Sequence, residues 1–120
     1  MKNSIKINFQ DKKIGFFFGL SFLGYFYDKF DLDVSQVSHN LQKKPFSFIP
    51  LLMFESYIHN CERNELNSEY NKFTFADLLD ENGGVTDDNG AAAIFLKAFM
   101  ESIISRLPKV EEELEEPKKK

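Results

Sequence analysis

Apolar and polar residues alternate at the start of the chain. Ile5, Ile7 and Phe9 are interleaved with Lys6, Asn8 and Gln10, and after Gln10-Asp11-Lys12-Lys13 the alternation resumes with Ile14, Phe16 and Phe18. A period of two is that of a strand with one buried face, so the pattern predicts a β-hairpin over about residues 4–18, closed by a short polar loop. The loop has no Asn-Gly or Asp-Gly pair to set its turn type. From Gly19 the period changes. Leu20, Leu23, Tyr27 and Phe30 recur at three- and four-residue steps with Ser21, Gly24 and Asp28 opposite, which predicts an amphipathic helix packed on the hairpin.

The remainder reads as further helices. Residues 31–35 carry capping side chains for a short polar helix over about 34–42, anchored by Leu32, Val34, Val37 and Leu41. Pro45 interrupts the chain, and Ser47 is placed to cap a long helix whose first turn holds Pro50 and whose inner stripe is Leu51, Phe54, Ile58 and Cys61, widened by Leu52 and Tyr57. After the polar stretch 64–72, Thr74 and Asp77 form a capping arrangement for a short helix that stops at Glu81-Asn82-Gly83-Gly84. Asp87-Asp88-Asn89-Gly90 then starts a last helix with Phe95, Phe99 and Ile103 in one stripe, ended by Leu107-Pro108. The expected fold is therefore α+β and mainly α: an N-terminal hairpin and a small bundle of about four to five helices in one globular domain of residues 1–107. Residues 108–120 are charged and carry too little apolar side chain to fold alone, so they are expected to form a disordered tail.

Composition narrows the functions. A chain of 120 residues suits one domain with a genuine core. Its single cysteine, Cys61, cannot pair internally and reads as a small buried apolar residue, which fits a reducing cytoplasm. The net charge of −4 argues against a nucleic-acid partner held by phosphate neutralisation. Charge is uneven along the chain: residues 1–44 carry seven Lys against four Asp, whereas residues 45–107 carry four basic and ten acidic groups. The segment KKIGFFFGLSFLGYFYDKF holds six of the fourteen phenylalanines and follows several lysines, as an export signal or membrane anchor would. Its apolar run of fourteen residues, 14–27, is nevertheless shorter than the ~20 residues of a spanning helix, is interrupted by three glycines, and leads into Tyr27-Asp28-Lys29 rather than a small-residue cleavage site. No membrane partner is expected.

Phe17 points to the far side of its strand, and Phe22 and Tyr25 lie off the main helical stripe. These three are the candidate apolar contact patch for a protein partner, since apolar surface beyond a few hundred Å² commonly marks an interaction site. The hairpin's unpaired edge offers a second contact, to a client strand or to another copy of the chain.

Signatures of chemistry are absent. His39 and His59 lack the flanking residues of a triad or a metalloprotease helix, and Cys61 falls on a different helical face from Glu55 and His59, so no metal is expected there. The Asp- and Asn-rich stretch 80–90 fails as a calcium loop, because placing Gly83 or Gly90 at the sixth position puts Leu78 or Val85 at the first. No phosphate-binding loop, dinucleotide fingerprint or nucleophile elbow is present. Neither enzymatic activity nor a cofactor is expected.

A short hairpin, then Phe18-Gly19-Leu20-Ser21-Phe22-Leu23, then Asp28-Lys29-Phe30 and a Thr-x-x-Asp helix start at residue 74, resembles the small tail assembly chaperones of long-tailed bacteriophages and prophages over roughly residues 4–107. The chain departs from that pattern where Gly24, Tyr25 and Phe26 replace charged residues of the first helix. The resemblance implies a non-enzymatic role in the host bacterial cytoplasm: binding the tape-measure protein, keeping it soluble and helping to recruit tail tube subunits. The alternative class is a small cytoplasmic binding or inhibitory module, such as an immunity or regulatory protein. Self-association is compatible with either.

Overall fold

The computed structural model describes residues 2–107. Strands β1 (Ser4–Phe9) and β2 (Lys12–Phe17) form an antiparallel two-stranded sheet, followed by helices α1 (Leu20–Lys29), α2 (Val34–Lys43), α3 (Pro45–Arg63), α4 (Lys72–Glu81) and α5 (Ala91–Arg106). The class is α+β and mainly α, as the periodicity predicts. The expected tail, 108–120, lies outside the described residues.

Pairing of Ile5 with Phe16, Ile7 with Ile14 and Phe9 with Lys12 leaves a loop of only Gln10 and Asp11, so Lys12 and Lys13 belong to β2 and not to the loop. Gln10 takes a φ of 62° at the first loop position, a left-handed conformation that glycine would adopt without strain. Ile7, Phe9, Ile14 and Phe16 share one face of the sheet and are buried. Against them, the Phe16 ring meets Phe75 of α4 edge-on at 6.1 Å and Phe95 of α5 at 5.3 Å. Phe18, just beyond β2, packs edge-on to Phe95 and Phe99, which stack on each other at 5.7 Å. These offset and edge-to-face contacts are the favoured geometries of aromatic rings and unite hairpin, α4 and α5, and Phe54 and Tyr57 bring α3 into the same core through Phe75.

The long helix α3 runs beside β2. Gly15 permits the approach, because a Cβ there would sit 2.7 Å from Asn60 Nδ2. The buried Ser56 hydroxyl donates to the Phe17 carbonyl at 2.8 Å, satisfying an acceptor that the two-stranded sheet leaves over. Helix α3 begins three residues earlier than a helix capped by Ser47 would: Pro45 is its first residue, and Pro50 lies in its interior rather than in its first turn. Its fully covered positions are Phe48, Ile49, Leu52, Met53, Ser56, Tyr57 and Cys61, while Leu51, Phe54 and Ile58 of the expected stripe are only half-buried.

Side chains cap two of the shorter helices. In α2 the Asp33 carboxylate accepts from Gln36 N at 2.7 Å, and the Gln36 side chain accepts from Asp33 N at 2.8 Å. In α4 the cap is Asn71 and not Thr74: Asn71 Oδ1 accepts from Phe73 N and Thr74 N, both at 2.9 Å, and Thr74 Oγ1 closes the box at Asn71 N. The α4–α5 turn uses Gly83 (φ 101°) and Gly84 (φ 59°), with Gly84 N donating to the Leu79 carbonyl. Phe95, Phe99 and Ile103 form the buried stripe of α5 as expected.

Candidate functional site

The three residues of the expected contact patch have different fates. Phe22 is completely buried and Phe17 is 7% exposed, so neither is free surface in the monomer; Tyr25 is 42% exposed. Phe17 does leave its strand on the side opposite Phe16, but α3 covers it. His59 stacks on its ring at 5.5 Å and the Arg63 guanidinium lies 3.9 Å from its centroid, one helical turn further on. Phe22 is buried because α1 is rotated from the expected phase: Phe22 and Phe26 point inward, stacked at 5.4 Å, with His59 and Phe48 of α3 against them. Leu20, expected to point inward, is exposed, and Leu23, Tyr27 and Phe30 are half-buried. The rotation puts Phe22 and Phe26 fully under cover and leaves Leu20 outside, a net gain in buried apolar area while Leu23, Tyr27 and Phe30 stay half-covered.

Around Tyr25 a polar network ties α1 to α3. Its hydroxyl donates to Glu55 Oε1 at 3.1 Å, and Lys29 Nζ donates to the Tyr25 oxygen at 2.9 Å and to Glu55 Oε2 at 3.4 Å. Ser21 Oγ lies 2.9 Å from His59 Nε2. This serine–histidine contact is the nearest approach to a nucleophile and base, yet no carboxylate hydrogen-bonds to the His59 ring among the described residues, and the hollows described below are lined by neither side chain. Desolvation by burial lowers the pKa of His59 below its usual value, with Arg63 acting the same way and Glu62 opposing, so the neutral ring is favoured. Burial pushes the Cys61 thiol up, which keeps it protonated and unreactive. Among the described residues no three His, Cys, Asp or Glu side chains gather as a metal site would require.

Free apolar surface lies elsewhere. Phe46, in the first turn of α3, is 78% exposed, and Phe73, in the first turn of α4, is 69% exposed. Between them run two adjoining hollows that share Pro50. One, of about 480 Å³, is lined by Phe46, Pro50, Leu79 and Val85 with the carboxylates of Asp77 and Asp80; the other, of about 370 Å³, by Pro50, Leu51, Phe54 and Phe73 with Glu55 and Lys72. Lys72 Nζ sits 5.2 Å from the centroid of the Phe73 ring. A smaller hollow of about 250 Å³ is formed by Leu20, Leu23, Tyr27, Val34, Ile103 and Leu107 between α1 and the end of α5. Here the Tyr27 hydroxyl is buried without a hydrogen-bond partner among the described residues, and desolvation raises its pKa.

Sequence reasoning missed Phe46 and Phe73 although a signal existed. Each precedes a buried phenylalanine by two positions, Phe48 and Phe75, and each buried ring starts an i, i+4 pair, with Leu52 and Leu79 respectively. Two residues are a rotation of about 200° on a helix, so a phenylalanine two places before the stripe faces away from it.

No helix among the described residues is long and apolar enough to cross a membrane. No protein-family model, curated protein or solved structure matches the chain.

Proposed function

We propose that this protein is a non-enzymatic tail assembly chaperone that binds a tape-measure protein in the cytoplasm of an infected or lysogenic bacterium and helps recruit tail tube subunits. The supporting observation is the apolar surface framed by Phe46 and Phe73, which a partner polypeptide can cover and which no part of the described chain covers. The resemblance of residues 4–107 to this class supplies the identity of the client. Rings held open on two separate helices suit capture of an apolar segment of another protein, and the acidic surroundings keep the carrier soluble before capture. Co-expression with the tape-measure protein of its own genome should yield a soluble complex that co-purifies. Absence of binding to any tail protein of that genome would refute the assignment.

A further inference from the structure

We infer that the hollow surface between Phe46 and Phe73 is a docking groove for one amphipathic α-helix of a partner protein, oriented with a basic residue at the Asp77/Asp80 end. The inference deepens the proposed function and rests on its premise that the chain binds a polypeptide through apolar surface.

The class of occupant follows from the walls. From Phe46 to Phe54 on α3, and from Lys72 to Asp80 on α4, the groove follows eight residues of helix, a length of about 12 Å. Two turns of a helix match that length. Both main walls are helices, whose backbone donors and acceptors are used internally, so an added strand would find no ladder to extend. A helix satisfies its own backbone and needs only apolar side chains, spaced at i, i+4 and i+7, to fill the two hollows on either side of Pro50.

The polar ends fix the direction. Asp77 and Asp80 are one turn apart on α4, line the larger hollow and take part in no ion pair among the described residues. Acceptors without donors call for Lys or Arg on the partner. The opposite end carries Lys72 against Phe73, and the Glu55 carboxylate beside it is already engaged by Lys29 and Tyr25, so this end calls for a neutral or acidic group. A second copy docking through this same face is a poor occupant, because residues 45–107 carry ten acidic against four basic groups and like charges would meet; a copy docking through its basic residues 1–44 is the outcome that the self-association measurement below detects.

The test uses the full chain and two synthetic amphipathic helices with identical leucine anchors, one with arginine and one with glutamate at the positions that reach Asp77 and Asp80. Fluorescence anisotropy should show the arginine peptide binding at least about tenfold more tightly than its glutamate counterpart. Phe46→Ser and Phe73→Ser should each weaken the arginine peptide by about tenfold or more while circular dichroism stays unchanged, and Asp77→Asn with Asp80→Asn should erase the preference between the two peptides. Equal binding of both peptides, no binding of either, or unchanged binding by the serine variants would overturn the inference. So would concentration-dependent self-association that Phe73→Ser abolishes, since the groove would then hold another copy. A tape-measure complex that survives both serine substitutions would sink the groove and leave the chaperone function standing. Selective peptide binding without any tape-measure complex would do the reverse.

Discussion

Two sets of phenylalanine rings in this molecule have opposite environments. The dense set, Phe16, Phe17, Phe18, Phe22 and Phe26, sits in the segment richest in apolar side chains and is buried throughout. The second set, Phe46 and Phe73, each flanked by polar residues or proline (Pro45 and Ser47, Lys72 and Thr74) and two places before a buried ring, is exposed. Clustering of rings in sequence marks a place where the chain has enough apolar area to cover itself. A ring on the far side of a helix whose other side is packed, as Phe46 is opposite Phe48 and Phe73 opposite Phe75, has nothing in the described chain to cover it, and it is the better marker of a surface kept for another molecule.

Removing a ring from the buried set should have the largest effect. Phe22→Ala deletes a fully covered side chain that touches Phe26 and His59, and urea denaturation should show a loss of about 3–5 kcal/mol. A loss under about 1 kcal/mol would place Phe22 outside the core and undo the contrast. Next is Ser56→Ala, which strands the Phe17 carbonyl at the hairpin–α3 contact and should cost about 1–3 kcal/mol by the same measurement. Within the hairpin that carries these rings, Gln10→Gly should stabilise by about 0.5–1 kcal/mol, the relief of a positive φ less the extra chain entropy of glycine.

Protonation offers a gentler probe of the cover over Phe17 and Phe22. Because the folded pKa of His59 is lowered, its contribution to stability is complete above the unfolded value of about 6.5 and is lost as the pH falls from there toward the folded pKa. The drop in melting temperature between pH 7.5 and 5.5 should be smaller in His59→Gln than in the unaltered protein. The smallest effect belongs to the exposed pair: Phe73→Ser and Phe46→Ser should each change folding stability by no more than about 0.5 kcal/mol. A larger loss in either would assign that ring a structural role.

Local patterning was enough for the order and kind of elements: the alternation at Ile5–Phe9 and Ile14–Phe18, the stripe of Phe95, Phe99 and Ile103, and the stop at Gly83-Gly84 are signals set by the geometry of strand, helix and turn. Tertiary structure alone decided which rings are covered. Periodicity defines an apolar face only relative to its own element, and whether that face meets a neighbour depends on residues far along the chain. His59 and Arg63 hide Phe17, and α1 rotates to place Phe22 and Phe26 against Phe48. Phe46 and Phe73 remain in the open because they lie half a turn away from the sides by which α3 and α4 pack.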